Sequence, residues 1–178
     1  LAATAGVLAL HGLEVRRATA TEGRAGTAVE RFDVEPAHGR WPDWERVEAD
    51  ISAALDGSLL LEARLDKQSE ANERGRRRTS ARRAETRVIV DNDASELATV
   101  IEVRVADSHG LLHRIARTLA GLQLDVSSAL VATLGHEVVD TFYVRDMAAS
   151  PPGKLVDGAR LDEVRRALEE ALGGAARP

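Results

Sequence analysis

Apolar and polar positions are most regular in the second half of the chain. Thr99 to Val105 (TVIEVRV) alternates and is rich in β-branched residues, which predicts a strand. Asp107-Ser108-His109-Gly110 follows with the composition of a turn. Leu111, Leu112, Ile115, Leu119 and Leu122 then recur at helical spacing, predicting an amphipathic helix of about 12 residues. Residues 124–134 alternate as a second strand, Gly135-His136 turns the chain, and residues 137–145 (EVVDTFYVR) form a third. A loop carrying Pro151-Pro152-Gly153 leads to Asp157, a helix N-cap. The helix it opens carries Leu161, Val164, Leu168 and Leu172 on one face and ends at Gly173.

The order is β-α-β-β-α, one edge strand short of a ferredoxin-like sandwich. Arg87 to Asp91 (RVIVD) is expected to supply that strand. A hairpin through residues 92–98 would lay it antiparallel to 99–105, so the edge strand comes from before the unit rather than after it.

The pattern occurs twice. With residues 7–18 (VLALHGLEVRRA) over 118–129 (TLAGLQLDVSSA), Leu8 meets Leu119, Leu13 meets Leu124, Val15 meets Val126 and Ala18 meets Ala129. After one gap, Val29, Phe32 and Val34 fall on Val139, Phe142 and Val144. Leu1 aligns with Leu112, so the first copy is entered inside its first helix, without a first strand or turn of its own. What remains is a helix to Leu10, strands over 13–20 and 28–35, and a helix capped by Asp43. That helix carries Trp44, Val47, Ile51 and Leu55 and stops at Gly57. Residues from Ser58 to about Glu73 are read as one more helix. A sheet without its central strand has an open edge and is expected to lean on its neighbour.

The expected fold is therefore α+β, with two ferredoxin-like βαββα sandwiches built on antiparallel sheets. The first is N-terminally truncated, and the second takes its edge strand from 87–91. The expected domains are 1–70 and 87–174, joined by an Arg-rich linker over 71–86.

Composition narrows the functional classes. The chain has 178 residues, no Cys, and only 3% aromatic residues. Zero Cys removes disulfides, thiolate metal sites and a Cys nucleophile. No apolar run approaches the roughly 18 residues that cross a bilayer. The apolar N-terminus lacks a basic start and is not read as a signal peptide. The net charge of −5 and the scarcity of aromatics argue against nucleic acid as a partner. The first half is balanced in charge, and the second carries the whole excess of acid. The basic cluster is Arg74 to Arg83 (RGRRRTSARR), which has no apolar residue larger than Ala. It reads as a solvated linker, or else as an electrostatic contact.

No catalytic centre is expected. The five His residues are followed by Gly, Gly, Gly, Arg and Glu, so there is no His-Asp pair for a metal phosphohydrolase. Asp91-Asn92-Asp93 has the spacing of a metal-binding carboxylate pair but the composition of a turn. His109 and His113 are four apart, without the Glu or third ligand of a helical zinc site. Neither a nucleophile elbow nor a phosphate loop is present.

The turn over 107–112 is the candidate binding site. A helix opening at Gly110 leaves the N–H groups of Gly110, Leu111 and Leu112 without intrahelical partners, and such a terminus favours a carboxylate. Asp107 could take an amino acid's ammonium group, and Gly110 permits close approach. The competing reading makes Asp107 an ordinary helix cap.

Residues 103–112 (VRVADSHGLL), with Ile115-Ala116 and Leu119-Ala120, resemble the signature of ACT domains. Leu124-Asp125-Val126, Ala132-Thr133-Leu134-Gly135, and Val139-Asp140-Thr141-Phe142-Tyr143-Val144 narrow the likeness. So do residues 87–95 (RVIVDNDAS) and Trp41-Pro42-Asp43-Trp44. Together they resemble the C-terminal ACT pair of bifunctional PII uridylyltransferase/uridylyl-removing enzymes.

That resemblance implies a cytoplasmic, glutamine-responsive regulatory region of a nitrogen-signalling enzyme. It implies binding at Asp107, Ser108, His109, Gly110, Leu111 and Leu112. It also implies ACT–ACT pairing within or between chains, and the PII protein as partner of the full enzyme. Catalytic residues and their Mg would belong to domains outside this chain, which itself needs no cofactor. The transferred group, uridylyl or adenylyl, stays open. The family's Arg-Pro in the turn is Ser108-His109 here, which loosens it and leaves a second reading: an assembly module that no longer binds ligand.

Overall fold

Eleven elements follow the alternation and helical periodicity of the sequence in this computed structural model, which describes residues 1–23, 27–75, 86–134 and 137–173. They are α1 (Ala2–Leu10), β1 (Leu13–Glu22), β2 (Ala28–Pro36), α2 (Trp44–Leu55), α3 (Leu61–Gly75), β3 (Arg87–Asp91), β4 (Thr99–Ala106), α4 (Leu111–Gly121), β5 (Leu124–Leu134), β6 (Glu137–Asp146) and α5 (Gly158–Ala171). The Gly135-His136 turn and residues 76–85 of the expected linker lie outside the described residues. Helix α3 runs on to Gly75, so the first five positions expected to be linker are helical.

The fold is α+β. A four-stranded antiparallel sheet has the order β3-β4-β6-β5, and β1 and β2 form a two-stranded sheet. Strand β3 takes the edge place expected of it, with Arg87 opposite Arg104 and Asp91 opposite Val100. Its hairpin turns on Asp91, whose Oδ1 accepts from the N–H groups of Asp93 at 2.7 Å and Ala94 at 3.2 Å. The Asp91 carboxylate thus shapes a turn, as the composition of this segment suggested. Asn92 then ties the turn inward, donating to the Leu155 carbonyl and accepting from Thr99 Oγ1, each at 2.6 Å. The order β4-α4-β5-β6-α5 is that of a βαββα unit and is compatible with a ferredoxin-like fold.

The core lies between the larger sheet and its helices. Ile101, Val103 and Val105 of β4, with Val138, Phe142 and Val144 of β6, are buried against Leu111, Ile115 and Leu119 of α4 and Val164 and Leu168 of α5. Asp157 caps α5 by accepting from the Ala159 N–H.

The two hairpins correspond residue by residue. Ala18 pairs with Phe32 in one, and Ala129 with Phe142 in the other. Val15 pairs with Val34, and Val126 with Val144. The register slips after Val15 in β1 and after Val126 in β5, the same place in the repeat.

The first copy packs on the second. Ala5 and Ala18 are buried within the larger core, joined by Val15 and Phe32. A smaller cluster of Val7, Leu8, Leu13, Val47, Leu61 and Leu65 lies beneath α1, α2 and α3. Helix α1 packs on α4 while β1 runs against β5. Gly6 makes this close: a Cβ there would lie 2.6 Å from His113 Nδ1 and 2.8 Å from Leu61 Cδ2. His113 is buried, and its Nδ1–H donates to the Ala2 carbonyl across the junction at 2.8 Å.

Candidate functional site

The residues from Asp107 to Leu112 come together at that junction. They line a cavity of about 340 Å³ whose opposite wall is the α1–β1 connection, with Gly12, Glu14 and Arg16, and His38 beyond β2. Its floor is the sheet itself, at Val131, Val138 and Asp140. The turn thus faces a surface lying about a hundred residues earlier in the sequence.

Gly110 is the N-cap of α4, at φ 68° in the left-handed region, where a side chain is disfavoured. No side chain caps the helix, so the reading of Asp107 as an N-cap is set aside. One expected donor is also corrected: the Leu111 N–H is bonded to the Ser108 carbonyl at 3.1 Å and is not free. Among the described residues, no acceptor meets the N–H of Gly110 or Leu112. Asp107 is exposed.

Ser108 and His109, where the turn differs from the signature it resembles, are held within the protein. The Ser108 hydroxyl accepts from Arg114 Nη2 at 2.7 Å, which fastens the turn to the next helical turn. Arg114 Nε is buried without a partner, and burial lowers this guanidinium's pKa. His109 Nε2 lies 3.3 Å from Gln68 Oε1 on α3. Burial first, then the Arg114 charge, holds its pKa below the usual range. Both His109 and His113 have partners inside the protein, and the described residues contain no cluster able to hold a metal ion.

Opposite the turn, Arg16 lies 2.8 Å from Glu14 and 2.9 Å from Glu35. Its pKa is raised chiefly by the hydrogen bond to Glu35, with a smaller contribution from the charge of Asp107.

The comparisons with known proteins bear on the whole chain. The bifunctional uridylyltransferase/uridylyl-removing enzyme of Streptomyces coelicolor is 40% identical over an alignment of 178 residues, covering 97% of this chain and 20% of that protein. The same-named enzyme of Rhodospirillum rubrum is 37% identical, with 94% of this chain and 18% of the relative covered. That of Novosphingobium aromaticivorans is 38% identical with the same coverage. The chain is a homologue of one part of the bifunctional uridylyltransferase/uridylyl-removing enzymes. It spans about a fifth of the length of those relatives. No protein-family model matches it, and no solved structure does.

In this homologue of the uridylyltransferase/uridylyl-removing enzymes, Asp140 lines the cavity although the sequence reading did not assign it to the site. Asp140 is 1% exposed, yet neither carboxylate oxygen has a hydrogen-bond partner among the described residues. Burial, the dominant cause, raises its pKa to about 7. The charge of Asp107 adds to the rise, and the backbone N–H of Ala132 opposes it without completing a hydrogen bond. The signal was available in the alternation of β6. Val138, Asp140, Phe142 and Val144 share the inward phase, so an Asp stood where a core apolar residue belongs.

Proposed function

We propose that the chain is the C-terminal, amino-acid-sensing part of a PII-protein uridylyltransferase/uridylyl-removing enzyme, with glutamine as its effector. In this reading it consists of two ACT domains, 1–70 and 87–174, joined by 71–86, in a cytoplasmic enzyme. The nucleotidyltransferase and hydrolase chemistry, with its Mg, belongs to other domains of a longer protein. PII is the partner of that whole enzyme, and the ACT domains pair with each other.

The observation that carries this reading is the meeting of the 107–112 turn with the other copy around one cavity. A ligand there would touch both copies and favour their closed arrangement over alternatives, which is how a small molecule biases a conformational equilibrium. The cavity offers the unmatched N–H groups at the start of α4 to a carboxylate and Asp107 to an ammonium. A zwitterion matches that pairing.

One observation favours the assembly reading instead. Ser108 and His109 already have protein partners, so the turn is tied down without a ligand. Thermal unfolding separates the two readings. A ligand preferring the folded state stabilises it by mass action, by about 2.7 kcal/mol at a hundred times its Kd. Glutamine is expected to raise the midpoint by several degrees while glutamate leaves it in place. An unchanged midpoint at saturating millimolar glutamine would favour the assembly module.

A further inference from the structure

A carboxylate is costly to bury, and an unpaired one is costlier still. Asp140 stands on the core face of a central strand, between Val103 and Val131, where an apolar residue would pack at no such cost. Both of its oxygens are buried and unpartnered, and the residue lines the cavity floor. Asp107, also lining the cavity, is close enough for its charge to act on Asp140. Arg16, across the cavity, is already paired with Glu14 and Glu35.

Among the described residues no cationic side chain pairs with Asp140. Two carboxylates, with no third acidic or His ligand clustered beside them among the described residues, are too few for a divalent metal cage. A primary ammonium needs only such acceptors, and charge-assisted bonds to it are among the stronger ones.

We propose that Asp140 is the residue that recognises the effector's α-ammonium group, from the floor of the cavity, with Asp107 assisting from the rim. The inference rests on the reading of this cavity as an amino-acid site and adds to it the residue that distinguishes an amino acid from a plain carboxylic acid. The ligand's carboxylate then lies toward the start of α4.

The test is titration calorimetry of wild type and Asp140→Asn with glutamine and with glutaramic acid, which is glutamine without its α-amino group. The substitution is expected to weaken glutamine by at least about tenfold and to change glutaramic acid by less than about twofold. Glutamine affinity retained within about twofold would overturn the proposal while leaving the glutamine reading intact. If wild type ignores glutamine but binds another of the common amino acids in an Asp140-dependent way, the anchor stands and the glutamine assignment falls. If no amino acid binds wild type, the anchor falls too. A second measurement needs no variant. The carboxyl-carbon NMR signal of Asp140 at pH 7 should move to its ionised position with glutamine and stay put with glutaramic acid; a signal unmoved by saturating glutamine would reject the proposal.

Discussion

Asp140 carries a stability cost that depends on pH. Its carboxyl titrates near pH 7 in the folded chain, against an ordinary value of 3.8. The folded state thus holds the proton more tightly than the unfolded state. Stability is greatest below the ordinary value and falls as pH rises from about 4 to about 7. Asp140→Asn removes that fall. Denaturant titrations should find the variant more stable than wild type by about 2–4 kcal/mol at pH 8, and nearly equal at pH 4. Asp107, Glu14, Arg16, His38, His109 and His113 share the cavity, so the wild-type profile holds other titrations, and the difference between the two proteins isolates Asp140. Equal stability at pH 8 would mean the carboxylate has a partner. At Gly110 the backbone sets the outcome: φ is 68°, with open space around the Cα. Gly110→Ala meets no atom but forces a left-handed alanine, at about 1–2 kcal/mol by equilibrium unfolding. The special role of Gly110 was legible as a turn glycine before a helix. That of Asp140 was equally printed in the strand's alternation, but a single inward Asp acquires meaning only once the cavity above it is known.

The elements themselves were largely legible. Alternation and turn composition located β3, β4, β5 and β6, and the Asp91 turn closed the β3–β4 hairpin because Asp side chains bond their own backbone two and three residues on. The repeat was legible as well, because Ala18 and Ala129 face Phe32 and Phe142 in matched registers. The docking of α1 on α4 was not. It depends on contacts between residues about a hundred apart, and periodicity carries no such information. Gly6 exemplifies it. Within a helix Gly is ordinarily worse than Ala by roughly 0.5–1 kcal/mol. Here the added methyl would lie 2.6 Å from the buried His113 ring. The clash outweighs the propensity gain, so Gly6→Ala should destabilise the chain by about 1–3 kcal/mol in a denaturant titration. A stabilising Gly6→Ala would show that α1 does not seat on α4 this way. Helix α3 adds to the same junction, through Gln68 beside His109 and Glu62, whose carboxylate lies 2.7 Å from Arg117.

At the scale of the molecule, the two copies share a core and enclose a cavity where they meet. Either copy alone would offer half of that cavity: the turn and Asp140 from one, Glu14 and Arg16 from the other. A ligand bridging them would act on their mutual arrangement, and through it on whatever is joined to the chain in a longer enzyme. Among the described residues no helix is long and apolar enough to cross a membrane. The measurement closest to the central claim is titration calorimetry of this chain with glutamine, with glutamate and asparagine as controls and Asp107→Ala as the site variant. Saturable binding of glutamine alone is expected, weakened in Asp107→Ala. No heat from the folded chain at millimolar glutamine would contradict it.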